Sequence, residues 1–242
     1  MSSRKFIEER RQKKQRQNNI LVIIMALGAV LVIGAFVLAF VTTNRVNLSA
    51  RQIITPEFTQ TKQDGLSGLG NPDAPVVIEE FSDFGCIHCA NFALETKKLI
   101  EEEYIQTGQV YLVFHSVGGL LNAPATFQAA EATYCAGDQD ALWQFHDLLF
   151  ANQGKLFLNG IGDLSKTMTT FAEMLDLDTN QFDACLAEGK YQALTANDQV
   201  LATENGITGT PSFLINGVLL KGNQPFENFQ AAIEDALLEI AE

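Results

Sequence analysis

Two cysteines in the sequence Cys86-Ile87-His88-Cys89 stand where an apolar strand gives way to a helix, and this placement narrows the folds open to the chain. Val76–Phe81 reads as a short buried strand and Phe84–Cys89 as a turn entering a helix. Sulfurs so spaced at a helix start can close a small, strained and therefore labile ring. Free N–H groups and the helix dipole favour a thiolate on Cys86. An ordinary thiol, pKa about 8.5, is only about 3% ionised at pH 7, and such a site can bring the pKa to roughly 3.5–7. His88 is placed to add a positive charge or a donor, and Cys89 falls on the inward helical face as the buried, resolving thiol. A metal site is the other use of such a pair. Zinc needs about four ligands, and the remaining cysteines, Cys135 and Cys185, form no second close pair. No metal and no dissociable cofactor are expected.

Along the helix, Cys89, Phe92, Ala93, Thr96, Leu99, Ile100 and Tyr104 recur at helical spacing, while Lys97, Lys98 and Glu101–Glu103 are expected to face outward. Gly108 closes it and Val110–Phe114 is a second strand. A helical block follows, with candidates at Ala123–Cys135, Gln139–Asn152, Leu164–Leu175, Thr179–Glu188 and Tyr191–Asn205. Pro211–Ile215, Asn216-Gly217 and Val218–Leu220 read as a hairpin with a type I′ turn, and a last amphipathic helix starts at Pro225. The order is βαβ, helical insert (about 120–205), ββα: an α/β fold with helices parked between the halves of a sheet.

Three segments precede this domain of 76–242. Residues 1–19 carry seven Lys/Arg against two Glu, while residues 42–242 hold nine basic and 27 acidic residues. A body that acidic repels phosphate backbones, which excludes nucleic acid as a partner. Between them Ile20–Val41 has 22 residues, apolar but for Gly28 and Gly34. As a helix it would reach roughly 33 Å, against a hydrocarbon core of about 30 Å. It is longer than a signal-peptide core and lacks a good cleavage site. The expectation is therefore one N-terminal transmembrane helix in the cell membrane, with the basic head (1–19) cytoplasmic, the anchor at 20–41, a tether at 42–75, of which a part such as Arg51–Phe58 can instead pack on the domain, and the acidic domain extracytoplasmic.

The stretch Gly70-Asn71-Pro72-Asp73-Ala74-Pro75-Val76 running into Glu80-Phe81-Ser82-Asp83-Phe84-Gly85-Cys86-Ile87-His88-Cys89 resembles the DsbA-like thioredoxin-fold proteins of bacterial envelopes. The likeness continues through Trp143–Phe150 and through Gly206-Ile207-Thr208-Gly209-Thr210-Pro211-Ser212-Phe213, in the family's order. Ile87 departs from it, since many relatives have Pro there, which leaves the chemistry intact and the redox potential open. The resemblance implies a cis peptide bond at Thr210-Pro211 facing the sulfurs and offering backbone to a substrate chain. It also implies a proton acceptor six residues before the first cysteine, at Glu80. The residues themselves say only that Glu79 and Glu80 leave a buried strand on opposite faces, so that one carboxylate points inward. Relatives often pair cysteines at the places of Cys135 and Cys185, which gives a structural disulfide. His115 and His146 read as structural histidines.

The function these readings imply is thiol–disulfide exchange through Cys86 and Cys89, oxidising dithiols of cysteine-containing exported client proteins. A quinone-linked membrane oxidase is the family's electron partner. Two alternatives stay open: a reductase or isomerase of the same fold, and a non-catalytic thiol- or metal-binding module.

Overall fold

The computed structural model describes residues 53–118, 124–158 and 163–241, together with positions 25 and 33. Six strands build one mixed sheet: β1 (Gln63–Asp64), β2 (Gly68–Gly70), β3 (Val76–Ser82), β4 (Val110–Ser116), β5 (Ser212–Ile215) and β6 (Val218–Lys221). Their spatial order is β1-β2-β4-β3-β5-β6. β3 and β4 run parallel, Val76 opposite Val110 through to Ser82 opposite Ser116. β5 joins the other side of β3 antiparallel, with Ile78 opposite Ile215. A strand flanked on both sides needs apolar residues on both faces. On β3 one face carries Val76, Ile78, Glu80 and Ser82 into the main core, and the other sends Phe81 into a smaller cluster with Val117, Ala202 and Leu214.

The crossover from β3 to β4 is one long helix, α1. It begins as Ile87–Asn91, widens to π-helical geometry over Phe92–Thr96, returns to α over Lys97–Ile100 and widens again over Glu101–Ile105. This corrects the expected facing of its residues. A π turn takes up an extra residue, so positions beyond Thr96 rotate about the axis relative to a straight 3.6-residue pattern. Lys97 and Glu101 turn inward, while Leu99 is exposed.

The helical insert comprises α2 (Ala125–Gly137), α3 (Leu142–Ala151), a single π turn at Gly154–Leu158, α4 (Leu164–Met174), α5 (Thr179–Glu188) and α6 (Gln192–Glu204). Cys135 of α2 and Cys185 of α5 form a disulfide across 50 residues, both half-cystines buried. The β5–β6 hairpin turns at Asn216 (φ 46°) and Gly217 (φ 83°), the two left-handed positions a type I′ turn requires. The chain ends in α7 (Phe226–Ala241), whose Phe229 and Ile233 pack into the main core.

The thioredoxin fold with a helical insert is thus present, and two expectations are corrected. The sheet begins inside the stretch read as a tether, because β1 and β2 are too short to show a strand period. Gly68 lies against the Tyr111 ring so closely that a Cβ there would collide with its hydroxyl. Of the two readings left open for the stretch before β1, packing on the domain is the one seen: Asn152 accepts from Ile54 N at 2.8 Å and donates to Ile54 O at 2.8 Å. The second correction concerns the transmembrane helix, with the single-pass membrane topology and membrane attachment that rested on it. No helix among the described residues is long and apolar enough to cross a membrane. α7, for example, has 16 residues and carries charge on its outer face, short of the about 20 apolar residues a crossing takes. The span 20–41 lies outside the described residues, apart from Met25 and Ile33.

Loop closure by the Cys135–Cys185 bond restricts the unfolded chain by about 4 kcal/mol in the entropy account. Replacing both cysteines by serine is expected to lower unfolding free energy by up to that amount, measured by denaturant titration with Cys86 and Cys89 held reduced.

Candidate active site

β3 leads directly into the turn that presents Cys86. Asp83 shapes it, its side chain accepting from Gly85 N at 2.8 Å and its carbonyl from Cys86 N at 2.9 Å. Phe84 is fully buried and wedges between Phe114, Phe150 and His146. Gln153, just past α3, is buried and donates to Phe84 O at 2.8 Å and to Cys86 O at 2.7 Å, so the insert holds the turn from behind.

Cys86 is the N-cap of α1 and Cys89 lies in its first turn; both are free thiols. Cys89 is fully buried and Cys86 is 6% exposed. Their acidities diverge. Cys86 is lowered from 9.0 to about 5, foremost by the hydrogen bond from Cys89, then against burial by a Thr210 side-chain hydrogen bond and the backbone N–H groups of Cys89 and His88. Burial pushes Cys89 well above 9.0, and the neighbouring Cys86 sulfur adds to it. A nucleophile ionised at neutral pH therefore stands beside a thiol held protonated.

Thr210-Pro211 is a cis peptide bond, and Thr210 O lies 3.3 Å from Cys86 Sγ. The His88 side chain is exposed. It is the backbone N–H of His88, not the imidazole, that faces Cys86, which differs from the expected charge effect. Glu80 is the inward carboxylate of the strand end, fully buried, taking a hydrogen bond from Ser82 on Oε1. Glu79 lies on the other face and meets His115 Nε2 at 3.3 Å. His115 also bonds Asp198 at 2.9 Å; burial works against its protonation, but the two carboxylates raise it to about 9. It joins β4 to α6 on the face away from Cys89.

Cys86, Cys89, Thr210 and Pro211 thus come together, with Glu80 in the same core, whereas Cys135 and Cys185 lie in the insert. Gln153 and His146 were not read as site residues. His146 is fully buried, with Nε2 3.8 Å from Glu80 Oε1. The sequence gives neither a distinct signal, since the run Trp143–Gln153 also holds Gln144, Asp147 and Asn152.

The lowered Cys86 has a definite pH consequence. The folded dithiol form keeps a thiolate where the unfolded chain still holds a proton, so the resulting stability is complete above about pH 9 and lost as pH falls through about 5. Reduced protein is expected to lose about 3 kcal/mol of unfolding free energy between pH 7 and pH 4 through this group. Denaturant titrations of reduced wild type and Cys86→Ser across that range check it, the variant lacking the drop.

A family model described as thioredoxin matches residues 62–235. The Na(+)/H(+) antiporter NhaA 1 of Salinispora arenicola is 32% identical over 167 residues, 69% of this chain, and the chain spans only 24% of that protein's length. The "Probable disulfide bond formation protein D" of Bacillus cereus is 29% identical over 175 residues, covering 70% of this chain and 77% of its own. Among solved structures, oxidised BdbD of Bacillus subtilis superposes with a TM-score of 0.62 at 22% identity, over 74% of this chain and 99% of that one. The α-DsbA1 of Wolbachia pipientis gives 0.63 at 24% identity, over 76% and 96%.

Proposed function

Since the chain belongs to the thioredoxin family, we propose that it is a thiol–disulfide oxidoreductase whose reacting couple is Cys86 and Cys89, and that it oxidises dithiols of client proteins. The observation that carries this reading is the divergence of the two thiols, one lowered to about 5 and the other raised by burial. A client thiolate attacks Cys86 Sγ of the disulfide form. The new bond is a mixed disulfide, and the electron pair of the broken bond leaves on Cys89, which takes a proton. A second client thiolate then attacks the client sulfur of the mixed disulfide, releasing oxidised client and the Cys86 thiolate. Thr210 and Pro211 border Cys86 and offer backbone to the client chain. Cys135–Cys185 is assigned a structural role, since its sulfurs are buried within the insert.

Direction follows from the thiolate. Whatever stabilises Cys86 as a thiolate stabilises the reduced form and makes the disulfide more oxidising. Its ionisation contributes about 3 kcal/mol at pH 7, equivalent to about 60 mV for a two-electron couple. Equilibration with glutathione buffers is expected to give a potential above the about −270 mV of thioredoxin. A dithiol peptide should be oxidised stoichiometrically by the disulfide form, and Cys86→Ser should abolish this. A potential at or below that of thioredoxin, with turnover of disulfide peptides only, would make the protein a reductase.

A further inference from the structure

Residues 53–62, ahead of β1, run over the domain without forming helix or strand. They are nonetheless held at defined points. Ile53 and Phe58 pack against the main core. Thr59 and Thr61 both donate their hydroxyls to Glu101 Oε1, the latter at 2.5 Å, and Glu101 is a buried carboxylate of α1. Toward the other end Ile54 pairs both its backbone groups with the Asn152 side chain, N–H to Oδ1 and C=O to Nδ2, each at 2.8 Å. Asn152 Nδ2 also donates to Leu148 O at 2.8 Å, in the last turn of α3. The segment thus fastens α1 to the end of α3.

The residue after Asn152 gives that fastening a consequence. Gln153 spends its side-chain amide on Phe84 O and Cys86 O, the two carbonyls that flank Gly85 in the active-site turn. Both Asn152 and Gln153 are shut away from water. Adjacent residues share a peptide plane, so the orientation of one constrains the other. We infer that segment 53–61 is a working part of the redox site: by occupying Asn152 it fixes Gln153, and through Gln153 it sets the reactivity of Cys86. This rests on the thiol–disulfide reading above and adds Asn152 and Gln153 to it as positioning residues.

Each step has a physical cause. When the segment lifts, the Asn152 amide exchanges Ile54 for water and is no longer held in one orientation. Its bond to Leu148 O loosens too, and Asn152 is the C-cap of α3. Gln153 then loses the placement that lets one amide nitrogen serve two carbonyls, and the turn is free to shift. The donors around Cys86 Sγ, the Cys89 thiol and the N–H groups of Cys89 and His88, depend on that turn. A thiolate with weaker donors binds its proton more tightly. Ordering the segment costs about 1–2 kcal/mol per residue, set against two partly buried apolar side chains and a few hydrogen bonds. It therefore belongs to the parts of the domain that open most readily, and its opening reaches Cys86 without anything touching the couple.

Two readouts on the full chain separate this from a role in stability alone: the pH midpoint of Cys86 alkylation in reduced protein, and the equilibrium with glutathione. In wild type the midpoint should lie near 5. Gln153→Met keeps the length of the side chain but donates nothing. It should raise the midpoint by about 1 pH unit or more and change the equilibrium constant with glutathione about tenfold, lowering the potential by about 30 mV. Ile54→Pro removes only the N–H given to Asn152 and should raise the midpoint by about 0.4–1 pH unit, the worth of one hydrogen bond. Asn152→Leu should move it in the same direction. The double variant Asn152→Leu/Gln153→Met should go no further than Gln153→Met alone, since one residue acts through the other. A midpoint left in place by Ile54→Pro and Asn152→Leu, whatever they do to unfolding, overturns the inference, and so does additivity in the double variant. Where a variant at 152 or 153 does not fold, Ile54→Pro decides alone. If wild type shows no acidic thiol and forms no mixed disulfide with glutathione, the exchange reading itself falls. If wild type behaves as expected and the variants do not move the midpoint, only the role of the segment does.

Discussion

Negative charge on Cys86 has to be met by donors, because its sulfur is nearly shut off from water. The donors come from three places: the Cys89 thiol, the first backbone N–H groups of α1, and Thr210. Each depends on a different part of the fold. The helix end needs the Asp83 turn and the Gln153 clamp to stay in register with β3. Thr210 needs β5 paired against β3, which sets the preceding loop beside the helix start. The low proton affinity of one sulfur is thus a property of the assembled sheet and not of the Cys86–Cys89 segment alone.

The same geometry raises a difficulty at the second sulfur. Donating to Cys86 obliges Cys89 to keep its proton, and burial reinforces that, yet exchange requires the proton to leave. A solvent-exposed thiol would pass it to water. Cys89 is fully buried, as is the carboxylate of Glu80. Burying a carboxylate is itself costly unless compensating charge comes with it. His146 Nε2 faces Glu80 Oε1 at 3.8 Å, and the rings of Phe84, Phe114, Trp143 and Phe150 enclose the imidazole.

Much of this was legible beforehand. The strand–turn–helix around Cys86, the hairpin with Asn216-Gly217, the insert and the inward carboxylate follow from period, turn chemistry and alternation. Other features were not. Strands of two and three residues carry no period, so β1 and β2 passed as tether. Lys97 and Glu101 turn inward against a 3.6-residue pattern because the π turn at Phe92–Thr96 holds an extra residue that rotates the positions beyond it. His146 reads as a structural histidine and is buried against Asp147, but the pairing of Asp147 with Lys97 on another helix gains meaning only once α1 and α3 are packed together. A buried network is a relation between elements, and linear spacing does not report it.

That distinction also bears on what the insert is for. It is often enough to regard helices placed between the halves of a sheet as a cover over the core. Here α3 and the residues after it supply Asp147, which pairs with Lys97 of α1, and Gln153, which holds the active-site turn. α6 supplies Asp198, which holds His115 and the Tyr134 hydroxyl against β4. Without these helices β3 would still lead into the Cys86 turn, but Glu80 would face water, Cys89 would lose the burial that raises it, and the turn would lose its clamp. The divergence of the two thiols therefore depends on the insert as much as on the sheet.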